Sequence, residues 1–173
     1  QQEREFKALM HWKLGLGNIN KAMNGESPLP RKDKIAISSD WHIEPMPKST
    51  EEASTLKLSI PISDEAMAII QKGHIPELQE DHWFMYCDDE YIRYYRSWTG
   101  MCAFEAHYHK ETEHYIIDEL TINHALAKFG VNGDESAKCL FRYLITAEMG
   151  GDAAEAWQDY IDAWENTDCL YHL

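Results

Sequence analysis

The sequence lacks the features that mark disulfide-stapled, zinc-ribbon and membrane-spanning proteins. Its four cysteines are scattered over 173 residues without a C-x-x-C pair, which excludes zinc ribbons and thioredoxin-like redox motifs. No apolar run approaches the roughly 18 residues that a membrane helix needs, and the first residues carry no secretory signal. We therefore expect a cytoplasmic protein whose thiols are reduced.

Positive charge is also scarce. Lys and Arg number 16 against 30 Asp and Glu, which gives a formal net charge of -14. A surface of this sign repels phosphate backbones and anionic lipid headgroups. The composition therefore predicts neither general nucleic-acid binding nor membrane binding.

The familiar catalytic motifs are missing as well. The chain has no G-x-S-x-G nucleophile elbow, no G-x-x-x-x-G-K-[ST] phosphate loop and no H-E-x-x-H helix. Hydrophobic residues nevertheless make up 44% of the chain and aromatic residues 12%, which is enough for a core that offsets chain entropy. The length predicts a single folded domain over residues 1–173.

Local patterns divide this domain into parts. Apolar residues at helical spacing predict a helix over 3–14, and the prolines that follow predict an irregular segment over 25–61 with room for one or two edge strands. Runs rich in aromatic and β-branched residues predict a four-stranded antiparallel meander over 83–122. A helical period then predicts a helical hairpin over 134–165. The expected fold class is α+β, with a mainly antiparallel β-sheet meander packed against helices.

Arginines stand among aromatic side chains in the second predicted strand. Arg93 and Arg96 are three residues apart, so they lie on opposite faces of a regular strand. An Arg fork beside an aromatic ring can bind a carboxylate or phosphate while a planar group stacks alongside. The alternative is an ordinary sheet in which each Arg pairs with an acid such as Glu105 or Asp118. The candidate ligand-binding residues are Trp83, Arg93, Tyr94, Arg96, Ser97, Trp98 and Thr99.

The segment from Gly73 to Phe104 contains the patterns G-H-I-P, D-x-W-F-x-Y and R-S-W-T-G. It resembles a segment of an uncharacterised bacterial family that is found beside macro domains, the modules that bind ADP-ribose. The resemblance implies a small domain that works with ADP-ribose or related NAD-derived nucleotides, and it implies no known reaction. The residues to which it points are Trp83, Arg93, Arg96, Ser97, Trp98 and Thr99. The glycine loops of a macro domain itself are absent from the chain.

A second group of candidates lies in the third predicted strand and the turn after it. His107 and His109 fall on one face of a strand, and Glu113 follows in the turn. Two imidazoles and a carboxylate can form a three-ligand site for a divalent metal with open positions. The alternative is a solvent-facing strand whose polar side carries His and Glu without binding metal.

Three function classes follow from these patterns. The leading one is a domain that binds a small anionic or nucleotide-like ligand on an aromatic-arginine face of the sheet. The second is a metal-dependent enzyme centred on the histidines. The third is an interaction domain that binds a protein partner or a fused domain, for which an acidic surface favours a basic partner. Beyond the candidate metal, the sequence indicates no cofactor.

Overall fold

The structure is a computed structural model that describes residues 35–78, 81–131, 133–150 and 153–165. The helix predicted over 3–14 lies outside these ranges. Within them the chain forms one antiparallel sheet together with helices. The predicted α+β class is therefore confirmed.

Five strands form the sheet, and every neighbouring pair is antiparallel. The strands are β1 (Ala53–Ser63), β2 (Trp83–Cys87), β3 (Tyr91–Arg96), β4 (Cys102–Lys110) and β5 (His114–Asn123). Their order across the sheet is β1-β5-β4-β3-β2. Strands β2 to β5 are the predicted meander, in which short turns pair each strand with the next.

The Pro-rich segment predicted over 25–61 ends in an edge strand, for which the prediction left room. Its last part is β1, a strand of 11 residues that pairs with β5 and forms an edge of the sheet. Pro61 is tolerated there because an edge strand has one side that needs no ladder hydrogen bond. Residues 35–52 do lack strands and contain one short 3-10 helix, Ser38–Asp40.

The helices are α1 (Asp64–Ile70), α2 (Asp134–Glu148) and α3 (Ala154–Glu165), with a second 3-10 helix over His124–Phe129. Ser63 caps the N-terminus of helix α1, because its hydroxyl accepts the backbone N–H of Ala66 at 3.1 Å. Helices α2 and α3 pack against each other as the predicted C-terminal hairpin. None of the helices in the described ranges has the length and apolar character needed to cross a bilayer.

The helices cover one face of the sheet, and the main core lies between the two layers. The ring of Phe141 in α2 contacts Tyr94 of β3 and Phe104 of β4, at centroid distances of 6.2 and 5.6 Å. All three side chains are fully buried. Aromatic residues contribute the largest buried areas in protein cores, so these contacts hold α2 against the sheet.

The chain ahead of β1 crosses the opposite face of the sheet, and we call residues 35–48 the strap. The N–H of Ala36 donates to the carbonyl of Lys72, and the N–H of Glu44 donates to the carbonyl of Gly100, both at 2.8 Å. The strap encloses a smaller core with the sheet. The buried members of this core are Ala36, Met46, Phe84, Tyr95 and Cys102.

Two glycines allow the strap to approach the sheet so closely. Gly73 and Gly100 adopt positive φ angles of 71° and 75°, which favour glycine. A Cβ atom at Gly73 would overlap the backbone of Met85 and the Cβ of Ala36, and one at Gly100 would overlap the carbonyl oxygen of His42. The glycines of the G-H-I-P and R-S-W-T-G patterns therefore have a structural role, because they admit the strap.

The cysteines in the described part of the chain are free thiols, as predicted. Cys87, Cys102 and Cys139 form no disulfide. Burial raises the pKa of the Cys102 thiol to about 12 and also raises that of Cys87. These thiols are therefore protonated near neutral pH and act as small packing groups. Cys169 lies outside the described residues.

Candidate functional site

A cleft of about 620 Å³ opens beside the strap, on the face of the sheet that the helices leave uncovered. Residues 43–48 of the strap form one wall. The floor consists of side chains from all five strands. These side chains are Thr55, Tyr86, Arg93, Tyr95, Glu105 and Thr121.

Arg93 is the fixed cation of the cleft floor. Its Nε–H donates to Oε2 of Glu105 at 2.8 Å, and a terminal N–H donates to the carboxylate of Asp88. Burial opposes the charge of the guanidinium, but the hydrogen bonds to Glu105 and Asp88 outweigh burial and raise the pKa of Arg93. The guanidinium also lies 4.7 Å from the ring centroid of Tyr91. Arg93 is therefore charged and held in one orientation.

The turn between β2 and β3 holds Asp88 in position. Its carboxylate accepts the backbone N–H groups of Glu90 and Tyr91, at 2.8 and 2.7 Å. Burial opposes ionisation, but the hydrogen bonds from Arg93 and from these backbone groups lower the pKa of Asp88 below its ordinary value. An ionised carboxylate in the turn thus helps to fix the guanidinium in the cleft.

Two tyrosines provide the aromatic part of the floor. The rings of Tyr86 and Tyr95 are stacked, with centroids 5.9 Å apart and an interplanar angle of 10°. Tyr95 is buried, and burial raises the pKa of its phenol well above the ordinary value. Tyr86 is half-buried, so part of its ring faces the cleft and offers a surface to a planar group.

The formal charges of the cleft cancel. Lys48 and Arg93 are positive, and Glu44 and Glu105 are negative. Hydroxyl groups add further donors and acceptors on the floor, where the side chains of Thr55 and Thr121 are hydrogen-bonded at 3.1 Å. A cleft of this kind suits a ligand that carries several hydrogen-bonding groups.

A row of hydrogen-bonded acids and imidazoles adjoins the cleft on the same face. His107 follows Glu105 by two residues on β4, so both side chains lie on one side of the sheet. Oδ1 of Asp118 accepts Nδ1–H of His107 at 2.7 Å, and Oδ2 accepts Nδ1–H of His109 at 2.5 Å. Glu111 accepts Nε2–H of His109 at 2.8 Å. We call His107, Asp118, His109 and Glu111 the histidine row.

Hydrogen bonds within this row change the pKa values of its members. Hydrogen bonds to Glu111 and Asp118 raise the pKa of His109. Burial opposes ionisation of Asp118, but hydrogen bonds from His107 and His109 outweigh it and lower the pKa of the carboxyl. An ionised carboxylate therefore lies between the two imidazoles.

A β-bulge gives Asp118 its position. His107 pairs with Glu119 and Tyr108 pairs with Ile117, so Asp118 has no residue directly opposite it in β4. An extra residue of this kind changes the direction of the side chains around it. The bulge thus lets one carboxylate reach both histidines of β4.

The predicted metal ligands do not form a group of three. His107 and His109 both donate to Asp118, and Glu113 is an exposed residue of the turn between β4 and β5. In the part of the chain that the structure describes, no three His, Cys, Asp or Glu side chains are placed to hold a metal ion. The geometry thus gives the metal-site hypothesis no support.

The residues of the predicted aromatic-arginine face do not form one surface. Arg93 pairs with Tyr86 and faces the cleft, whereas Arg96 pairs with Trp83, so strand parity places the two arginines on opposite faces as expected. Trp83 and Tyr94 are fully buried in the core beneath the helices. Of these four side chains, only that of Arg93 lines the cleft.

Arg96 is a half-buried cation of the helix-covered face. Its guanidinium lies 5.0 Å from the ring centroid of Trp83 and 4.6 Å from that of Phe129. Burial lowers the pKa of Arg96 to about 10, so the group is still charged near neutral pH. Contacts with two rings compensate for part of the lost hydration, which is a structural role.

The remaining predicted residues lie in the turn after β3. The carbonyl of the buried Ser97 accepts the indole N–H of Trp41 in the strap at 2.8 Å. Trp98 is 65% exposed, and its ring stacks on His82 with centroids 6.0 Å apart. Thr99 is exposed. This turn therefore anchors the strap and contributes no side chain to the cleft.

The sequence analysis missed the threonines of the cleft floor and considered Asp118 as a partner of an arginine, whereas it bonds two histidines. Asp118 and Glu119 are consecutive polar residues between the core residues Ile117 and Leu120, and this break in alternation is a signal of a bulge. No local sequence pattern identifies Thr55 and Thr121 as residues of the cleft floor. Their hydroxyls meet only because strands that are 66 residues apart in the chain pair with each other.

Comparison with models of known protein families finds no match to this chain. Comparisons with curated proteins and with solved structures find no significant match either. We therefore infer function from the geometry of the cleft and the histidine row.

Proposed function

We propose that this domain binds a small nucleotide-like molecule in the cleft beside the strap. The observation that carries the proposal is the cleft floor, where the ion pair of Arg93 and Glu105 lies next to the stacked rings of Tyr86 and Tyr95. ADP-ribose and related NAD-derived nucleotides combine the groups that such a floor can bind. We also propose that the domain acts in the cytoplasm, where its free thiols stay reduced.

Each part of a nucleotide finds a matching group in the cleft. A planar base can stack on the half-buried ring of Tyr86. Ribose hydroxyls can bond the carboxylate of Glu105 and the hydroxyls of Thr55 and Thr121. A phosphate can contact Lys48, an exposed cation at the rim of the cleft.

The charge distribution also limits the ligand class. Arg93 is already bonded to two carboxylates, so it orients a ligand more than it attracts an isolated anion. Lys48 is the other cation of the cleft. We therefore propose a ligand whose sugar and base supply most of the contacts, with a modest contribution from its phosphates.

Thermal unfolding in the presence of adenosine, AMP, ADP-ribose and inorganic phosphate tests the proposal. A ligand at about one hundred times its dissociation constant stabilises the folded state by roughly 2.7 kcal/mol, which raises the melting temperature measurably. We expect ADP-ribose and AMP to stabilise the protein and phosphate alone to have little effect.

Two matched lysine variants locate the site. Lys48 lines the cleft, whereas Lys57 lies on β1 and forms an exposed ion pair with Glu119. We expect Lys48→Ala to weaken AMP binding by up to about fivefold, because an exposed charge contact contributes up to about 1 kcal/mol. Lys57→Ala should leave it unchanged. A panel without any stabilising compound, or equal binding by both variants and wild type, contradicts the proposal.

A further inference from the structure

The histidine row contains one ring nitrogen, Nε2 of His107, that has no hydrogen-bond partner among the described residues. A carboxylate can only accept hydrogen bonds, so each imidazole nitrogen that faces one carries a proton. Both nitrogens of His109 face carboxylates, those of Asp118 and Glu111. These two hydrogen bonds therefore favour the doubly protonated ring and raise the pKa of His109.

His107 differs from His109 in this respect. Its Nδ1 donates to Asp118 at 2.7 Å, whereas its Nε2 has no hydrogen-bond partner among the residues that the structure describes. In the neutral ring, the proton on Nδ1 leaves the lone pair on Nε2. The side chain is 34% exposed, so a bound molecule can reach this lone pair.

The surroundings hold the ring in place and keep it close to the cleft. The ring of Tyr91 on β3 meets the imidazole of His107 edge to face, with centroids 5.2 Å apart. Glu105 precedes His107 on the same face, at a strand spacing of roughly 7 Å. One ligand can therefore contact both Glu105 at the cleft floor and the ring of His107.

The groups that face His107 come from three further strands. Tyr91 lies opposite it on β3, and Glu119 lies opposite it on β5. Lys57 of β1 bonds Glu119 at 2.7 Å and so offsets its charge. With Asp118 and His109 also paired to each other, most of the formal charge around the imidazole is balanced by a neighbour.

We propose that His107 is the proton acceptor of a catalytic centre beside the cleft, and that its substrate carries a hydroxyl group there. In the step, the O–H bond of the substrate breaks, the proton forms an N–H bond at Nε2, and the electron pair stays on the oxygen as a nucleophile. Asp118 is a positioning residue that stabilises the resulting imidazolium. The nature of the substrate rests on the proposed function, since a nucleotide ribose supplies such hydroxyls.

Nitrogen NMR of the histidine rings tests the proton acceptor without any ligand. In the neutral ring of His107 we expect the proton on Nδ1 and a bare Nε2. Asp118→Ala should let His107 populate both neutral forms, and Glu111→Gln should leave its tautomer unchanged. A wild-type His107 protonated at Nε2 overturns the proposal, because that nitrogen then cannot accept a proton.

Acylation by diethyl pyrocarbonate, mapped by mass spectrometry, measures the availability of the same lone pair. We expect His107 to react faster than His109, because both ring nitrogens of His109 face carboxylates and only Nδ1 of His107 does. Equal rates for the two residues also overturn the proposal.

A third measurement, acylation in the presence of ADP-ribose, distinguishes the failure of this proposal from the failure of the proposed function. Saturating ADP-ribose should slow acylation of His107 and leave that of His114, at the start of β5, unchanged. If ADP-ribose does not bind, the ligand assignment fails while the tautomer and the acylation rates still decide the role of His107. If ADP-ribose binds and His107 is not protected, the proton acceptor lies outside the ligand site and the catalytic proposal is wrong.

Discussion

Arg93 and Glu105 lie directly opposite each other on β3 and β4, and Nε–H of the arginine donates to Oε2 of the glutamate at 2.8 Å. The side chains are only 17% and 24% exposed. This cross-strand ion pair is therefore both a part of the cleft floor and a contact that joins two central strands.

Replacing Glu105 by Gln should destabilise the protein. The substitution keeps the size of the side chain but removes its charge. The partly buried guanidinium of Arg93 then keeps one of its two carboxylate partners, Asp88. We expect the free energy of unfolding to fall by about 1–2 kcal/mol, measured by urea denaturation. Lys57→Gln breaks an exposed cross-strand pair with Glu119 and should cost less than about 1 kcal/mol. Equal losses in both variants would contradict this ranking.

Replacing Gly100 by Ala should detach the strap. The new Cβ would overlap the carbonyl of His42, and the φ of 75° is strained for alanine. We expect a loss of at least about 2 kcal/mol and faster hydrogen exchange at the amide of Glu44, which bonds the carbonyl of Gly100.

The control for this prediction is Gly133→Ala. Gly133 has a φ of 86°, but nothing lies within 4 Å of a Cβ added there. The variant therefore carries backbone strain without a clash, and exchange at the Glu44 amide should match that of wild type. Fast exchange in both variants would mean that strain alone, transmitted through the fold, releases the strap.

Replacing Arg96 by Ala should affect stability and spare the cleft. The half-buried guanidinium packs between Trp83 and Phe129 on the helix-covered face, so its loss removes two ring contacts. We expect the free energy of unfolding to fall by about 1–2 kcal/mol. AMP affinity, measured by calorimetry below the melting temperature, should equal that of wild type. Weaker AMP binding by a folded Arg96→Ala protein would contradict this prediction and show that Arg96 contributes to the ligand site.

The stability of the protein should fall with rising pH through the range in which His109 loses its proton. Hydrogen bonds to Glu111 and Asp118 raise its pKa above the ordinary value of 6.5. A raised pKa means that the stabilising contribution is complete below the unfolded value and is lost as the pH rises through the folded value.

Urea midpoints at about pH 6 and about pH 8.5 measure this effect. We expect the decrease between them to be smaller in His109→Gln than in wild type. His114→Gln, a substitution on the neighbouring strand, should retain the wild-type decrease. An unchanged decrease in His109→Gln would show that other groups cause the pH dependence.

Strand parity and composition were enough to predict much of the fold. Aromatic and β-branched runs marked β2 to β5, and the three-residue separation of Arg93 and Arg96 placed them on opposite faces. Those signals are local, because the direction of each side chain follows from its own position along a strand.

The candidate site was harder to predict because its contacts are not local. The cleft needs the strap, whose docking depends on the backbone of Gly73 and Gly100, and it needs β1 beside β5. The predicted cluster of Trp83, Tyr94 and Arg96 belongs to the core instead. The composition of an aromatic strand does not show which face of the sheet the helices cover. Side chains on the covered face belong to the core, and those on the other face can line the cleft.

The pairing of β1 with β5 has a consequence for the order of folding. Strands β2 to β5 are joined by short turns, whereas the hydrogen-bonded side chains of Ser54 and His124 are 70 residues apart. Closing a long loop is entropically costly and slow, so local hairpins form earlier than distant pairs. We expect the meander to form first and β1 to dock late, bringing with it the strap that precedes it in the chain. The cleft is then the last part of the sheet to be assembled. A ligand that binds there therefore binds and stabilises completely folded chains.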